Sequence, residues 1–300
     1  MLSLALPLVL PILVLAAQTP ASKEGAQEGK GARGDTLVKV ELLADRAAIR
    51  PGEAFTLAVH FTVEPGWHIY WDNPGDSGLP TKMHVRGPEG FEIGEPRAPA
   101  PVREFAEGDI VTYVHKGEVV YLVDARAPKV LPKGLVPGLR AAFDVDASWL
   151  VCIEACYPGA GKAHLEVPLA AAEAAASALA NEKVFAAARA RMPRPWKELG
   201  SADLEWSGAG ERRMLRISVP GATALELFPL ASATTSLEGR VVAADDNACR
   251  LTADLRFREP EPPEPPRLKG VLWVKTARGE SCYDLDSTGT RTAGEPRPGK

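Results

Sequence analysis

Phe55, Leu57, Val59, Phe61 and Val63 set an apolar side chain at every second position of one run, which ends at Glu64-Pro65-Gly66. Only an extended backbone puts such a series on one face, so this segment reads as a half-buried strand. Further apolar runs follow at VTYVHKGEVVYLVDA, LRAAFDVDASWLV and KAHLEVPL, with Gly and Pro between them. Gly and Pro number 27 each in 300 residues, and this share of Pro, above the usual ~5%, suits turns and sheet edges better than long helices. The spacing is that of a β-sandwich, assigned to residues 36–169.

The texture changes after Leu169. LAAAEAAASALANEKVFAAARARM is dense in Ala, with Asn181 placed to cap a helix and Pro193 to stop it, so residues 170–199 read as a helical connector. Period-two runs return in RRMLRISVP, ATALELFPL, CRLTADLRF and GVLWVKT, which predicts a second, smaller β-sandwich-like domain over residues 200–287 and a tail over 288–300. EPEPPEPPR (Glu259–Arg267) reads as a stiff polyproline crossover, with PxxP docking as the lesser reading. At the other end, MLSLALPLVLPILVLAA is apolar and uncharged, so residues 1–21 are expected to be a cleaved signal peptide, an uncleaved anchor being the alternative. A polar leader over residues 22–35 follows it. Net charge is −4, from 35 basic and 39 acidic residues with no basic block, which removes nucleic acid from the partners expected.

Export changes what the four cysteines mean, since thiols outside the cytosol tend to be oxidised. Proximity favours Cys152 with Cys156 and Cys249 with Cys282, out of three possible connectivities. The second bridge reads as structural, worth about 3–4 kcal/mol by loop closure. The first is different. Residues four apart on a strand are about 13 Å apart, whereas a disulfide needs Cα atoms within ~7 Å, so Ile153, Glu154 and Ala155 must turn. So small a ring is a poor staple and suits thiol–disulfide exchange, with a structural bridge or metal ligation as the alternatives. Asp144, Asp146 and Glu154 stand nearby and no Lys, Arg or His lies within five residues of the pair along the chain, which favours an electron carrier over a self-activated nucleophile. Pro158 and Gly159 are expected to fix the turn behind the cysteines. Trp67, Tyr70 and Trp71 read as packing aromatics, and Asn73–Gly78 as a turn with Asp76 and Ser77 as anchors. The five histidines show no HxH or HExxH spacing, so a zinc hydrolase is disfavoured. No P-loop, GxSxG or GxGxxG occurs, and neither a cofactor nor a metal is expected. Copper held by the cysteines with Met83 or Met192 is the weakest reading retained.

GWHIYWDNPGDSGLPT (Gly66–Thr81), GPEGFEIGEP and WLVCIEACYPG together resemble the N-terminal periplasmic domain of the thiol:disulfide interchange protein DsbD, and still more its suppressor-of-copper-sensitivity relatives. The resemblance implies an immunoglobulin-like sandwich over residues 36–169 that takes electrons from a membrane-embedded transporter domain and reduces periplasmic thioredoxin-like proteins, a protein-disulfide reductase type of activity. It implies that Cys156 forms the mixed disulfide and Cys152 resolves it. It also implies a cap loop with Phe105 at its tip, shielding the pair, with Glu104 beside it and Tyr70 as an active-site tyrosine. The family's membrane and thioredoxin-like domains have no counterpart here, so the expected donor is a separate polypeptide. The reading from a different class is a non-catalytic exported β-sandwich that binds a protein partner, its cysteines serving as structural disulfides.

Overall fold

The structure, a computed structural model, describes residues 33–106, 108, 110–175, 178–210, 212–230, 235–236, 241–243, 250–257, 267–287 and 291–292. The expected signal peptide, most of the leader, the polyproline core and Cys249 lie outside the described residues. No helix among the described residues is long and apolar enough to cross a membrane.

The chain is mainly β, as the period-two runs require. The first sandwich is built from β1 (Val38–Ala44), β2 (Ala54–Val63), β3 (His68–Gly75), β4 (Lys82–Arg86), β5 (Glu92–Ile93), β6 (Val102–Ala106), β7 (Ile110–Lys116), β8 (Glu118–Arg126), β9 (Arg140–Cys152) and β10 (Cys156–Pro168). One sheet runs β1-β2-β8-β5, the other β10-β9-β3-β7-β6 with β4 also on β9. Phe55, Leu57, Val59, Phe61 and Val63 are all buried between the sheets, facing Phe143, Val145, Trp149 and Val151 of β9. Phe61 meets Tyr121 and Trp149 edge-on at 5.7 and 5.9 Å, an arrangement worth about 1 kcal/mol per pair beyond the area buried. This is the immunoglobulin-like layering expected.

The alanine-rich connector departs from its expected helix. Helix α1 spans only Glu182–Arg191, and the preceding alanines run alongside residues 45–50. Ala170 N–H donates to the Ile49 carbonyl at 2.9 Å, Ala180 N–H to that of Asp45 at 3.0 Å, and Ala47 N–H to that of Ala178 at 3.0 Å. These sheet-like bonds replace helical ones, and the weak advantage of Ala in a helix does not outweigh them. Asn181 precedes the helix in the left-handed region (φ 53°), but its side chain makes no cap bond; its Nδ2 donates instead to the Ala44 carbonyl at 3.0 Å. Phe185, Ala188 and Met192 then cover Ala58 and Leu122 on the outer face of the first sheet.

The second sandwich comprises β11 (Arg194–Pro195), β12 (Asp203–Ala209), β13 (Arg212–Ser218), β14 (Ala222–Pro229), β15 (Thr235–Ser236), β16 (Val241–Ala243), β17 (Arg250–Phe257), β18 (Lys269–Thr276), β19 (Gly279–Asp286) and β20 (Arg291–Thr292). Its sheets, β11-β19-β18-β14 and β15-β17-β13-β12-β20, enclose a separate core around Trp206, Leu215, Ile217, Leu227 and Leu272. The two sandwiches meet where Trp71 and Tyr113 pack on Phe228 and Val271.

Candidate functional site

Cys152 ends β9 and Cys156 begins β10, directly opposite each other in the antiparallel register. Ile153, Glu154 and Ala155 close the hairpin, Ile153 N–H donating to the Ala155 carbonyl at 3.2 Å. The turn that the CxxxC spacing demands is thus a β-hairpin, with Cα atoms 4.2 Å apart and the sulfurs bonded. Trp149 and Val151 point into the core, so strand alternation sends Leu150 and Cys152 to the outer face. There Cys152, 2% exposed, lies under Tyr70 and Val114, whereas Cys156 is exposed. The bridge therefore offers one sulfur to a visitor and withholds the other.

Tyr70 is the neighbour in direct contact with the buried sulfur. Its hydroxyl donates to Cys152 Sγ at 3.4 Å, and its own ionisation is pushed up by burial and by the charge of Glu104. The ring is roofed by the loop after β3: a Cβ on Gly78 would stand 2.2 Å from the ring, and Gly78 has φ +101°, so glycine is required twice over. Asp76 anchors this loop, its Oδ2 accepting from Val111 N–H at 2.8 Å, while Asp76 N–H donates to the Val111 carbonyl at 2.8 Å. Asp76 is thus an anchor as expected.

Two residues not singled out from the sequence complete the surround. His68 sits on β3 opposite Cys152 of β9 on one side and opposite Lys116 of β7 on the other. Its ring meets Tyr70 edge-on at 5.2 Å, and its Nδ1 lies 3.3 Å from Glu104 Oε2. Glu104 also pairs with Lys116. Burial lowers the His68 pKa, with Glu104 opposing and Lys116 assisting. The signal for His68 lies in GWHIYW, where period two puts His68 and Tyr70 on one face.

Two expectations need correction. Phe105 does not cover the pair: it follows Glu104 on β6, so alternation turns it to the opposite face, where it is 72% exposed. Pro158 is not behind a turn but within β10, opposite Leu150, on an edge strand where a missing N–H is tolerated. The chain entering β1 passes close by, and Gly34 allows it: a Cβ there would be 2.5 Å from the Pro158 carbonyl oxygen, and the Gly34 carbonyl accepts from Trp149 Nε1 at 3.0 Å. Cys282 is a free thiol among the described residues, and its expected partner Cys249 lies outside them. Leu285 and Tyr283 of β19 face the second core, so Cys282 faces the other way, into the junction with Trp71 and Phe228, where burial pushes its pKa to about 11.

Residues 37–168 match the family described as thiol:disulfide interchange protein DsbD, N-terminal. Among solved structures, the N-terminal periplasmic domain of ScsB from Proteus mirabilis is similar with a TM-score of 0.54 and 12% identity, covering 85% of this chain and 95% of that one. That likeness extends over both sandwiches and concerns the fold. Spo0M, a sporulation control protein from Bacillus subtilis, covers 83% of this chain and 89% of its own at 11% identity, but its TM-score of 0.22 is too low to denote a shared fold. No curated protein matches the chain.

Proposed function

Since residues 37–168 form a DsbD N-terminal domain, we propose that this protein is a periplasmic thiol–disulfide exchange carrier of the protein-disulfide reductase type. It takes electrons from a membrane-embedded donor of the DsbD transporter type and passes them to periplasmic thioredoxin-like proteins. The observation that carries this reading is the asymmetry of the bridge, with Cys156 exposed and Cys152 2% exposed. A donor thiolate attacks Cys156 Sγ, a mixed disulfide forms, and the electron pair of the broken bond goes to Cys152 Sγ under the Tyr70 hydroxyl. The donor's second thiol then releases the reduced pair. Reduced Cys156 in turn attacks the recipient's disulfide, and Cys152 resolves that mixed disulfide, which restores the bridge. Ile153, 54% exposed at the hairpin tip, gives the visitor an apolar contact beside the sulfur.

The test is covalent trapping. Cys152→Ser leaves Cys156 as an unresolved thiol and is expected to accumulate mixed disulfides with thioredoxin-like partners, while Cys156→Ala accumulates none and loses all turnover with a small dithiol reductant. Because a ring this small constrains the unfolded chain little, Cys156→Ala is expected to shift the melting temperature by only a few degrees, about 1–2 kcal/mol. Collapse of the fold in that variant, with no trapping by Cys152→Ser, would identify the bridge as structural.

A further inference from the structure

Reduction leaves Cys152 with a charge to accommodate at a site almost closed to water. Within five residues of the pair along the chain the one charged side chain is the carboxylate of Glu154. The sheet supplies what the sequence lacks. On the face that holds Cys152, the next strand presents His68 in the directly opposed position, which sets the two Cβ atoms about 5 Å apart. The strand after that presents Lys116, opposed to His68 in turn. From β6, Glu104 reaches both, pairing with Lys116 and lying 3.3 Å from His68 Nδ1. Tyr70, between Cys152 and this group, is neutral. The charges facing His68 are therefore Glu104 and Lys116; Glu104 is shared with Lys116, and burial outweighs its pull on the imidazole while the bridge is closed. Opening the bridge adds one negative charge on its other side.

We propose that His68 is a positioning residue for exchange: it takes up one proton when the Cys152–Cys156 bond opens and then stands as an imidazolium beside the Cys152 thiolate. This rests on the exchange reading above and deepens it. The balance is closed. The donor's thiol ionises, its sulfur bonds to Cys156 Sγ, the electron pair of the old bond passes to Cys152 Sγ, and the proton given up by the donor is the one His68 gains. When Cys152 attacks to resolve a recipient's mixed disulfide, the proton is returned to the departing thiolate. Lys116 does not serve in its place because Glu104 already neutralises it.

The experiment uses the full chain. The His68 ring protons are followed by NMR against pH in the oxidised and the reduced protein, and Cys152 ionisation by thiolate absorbance in Cys156→Ser, with Cys152→Ser/Cys156→Ser as the blank for Cys249 and Cys282. The His68 midpoint is expected to rise by at least about one pH unit on reduction, and His68→Gln to raise the Cys152 midpoint by about as much, a tenfold loss of thiolate. Identical His68 titrations in the two redox states overturn the inference without need of any substitution. So does an unchanged Cys152 curve in His68→Gln. Either result leaves the exchange reading intact if Cys152→Ser still traps partners; failure of trapping removes the exchange reading whatever His68 does.

Discussion

His115 is 1% exposed in the wall of the first core, its ring edge-on to Tyr121 at 5.9 Å, and its Nε2 has no hydrogen-bond partner among the described residues. Burial, with the nearby charge of Arg191, depresses its pKa from 6.5 to about 3. Between those values the unfolded chain binds a proton that the folded one refuses. Stability therefore falls as pH drops below about 6.5, by up to ~1.4 kcal/mol per pH unit, and the loss from this group ends near pH 3. Thermal melts between pH 7 and 4 are expected to show a falling melting temperature, and His115→Phe to flatten that slope; a profile as steep in the variant would assign the acid sensitivity elsewhere. His115 faces the core while His68, one strand over, faces the disulfide, and the sequence alone does not separate them. Cys152, Cys156 and Tyr70 were legible because a motif or a resemblance marks them. His68 was not, because proximity along the chain found no cation near the pair, and the strand pairing that opposes His68 to Cys152 is a long-range contact.

The loop after β3 shows how an element far from the cysteines in sequence roofs the site. Its turn chemistry was plain in NPGDSGLP, but that it closes over Tyr70 follows only from the contact of Gly78 with that ring. Asp76 ties the loop to β7 through a charge-assisted bond of 2.8 Å to Val111 N–H. Asp76→Ala should cost about 1.5–3 kcal/mol and expose Tyr70 more often. Hydrogen exchange at the Val111 amide reports it directly: a protection factor lowered tenfold or more is expected, and unchanged protection would show that the backbone bond to the Val111 carbonyl suffices. Elements whose apolar residues follow a single period, such as β9 and residues 55–63 of β2, could be read from the sequence, although Ala58 is buried on the other face of β2 as well. The segment after Leu169 could not, because the small helix preference of Ala is overridden by long-range hydrogen bonds to the backbone of residues 45–49.

Between the sandwiches, Trp71, Tyr113 and Phe228 meet edge-on in pairs, at 6.3, 6.4 and 5.5 Å. Phe228 comes from β14, whose burial breaks its alternation at Leu227, Phe228 and Pro229, all buried because both faces of the strand end are covered. The same strand end grips the first sandwich twice. Arg103, the residue before Glu104, pairs with Glu226 at 3.0 Å and donates to the Leu227 carbonyl at 3.3 Å, and Asn73 Nδ2 in the last residues of β3, just before the roofing loop, donates to the Pro229 carbonyl at 2.8 Å. The second sandwich thus holds both the strand that delivers Glu104 and the loop that covers Tyr70. Phe228→Ala removes a ring 2% exposed and should cost about 3–5 kcal/mol, drawn from the junction and not from either core. Calorimetry is expected to replace one unfolding transition with two, since each sandwich keeps its own core, and exchange protection in residues 73–80 should fall with the first. A single transition at an unchanged temperature would mean that the polar ties of Arg103 and Asn73 suffice to couple the sandwiches, and the aromatic cluster would then be filling space between bodies already joined.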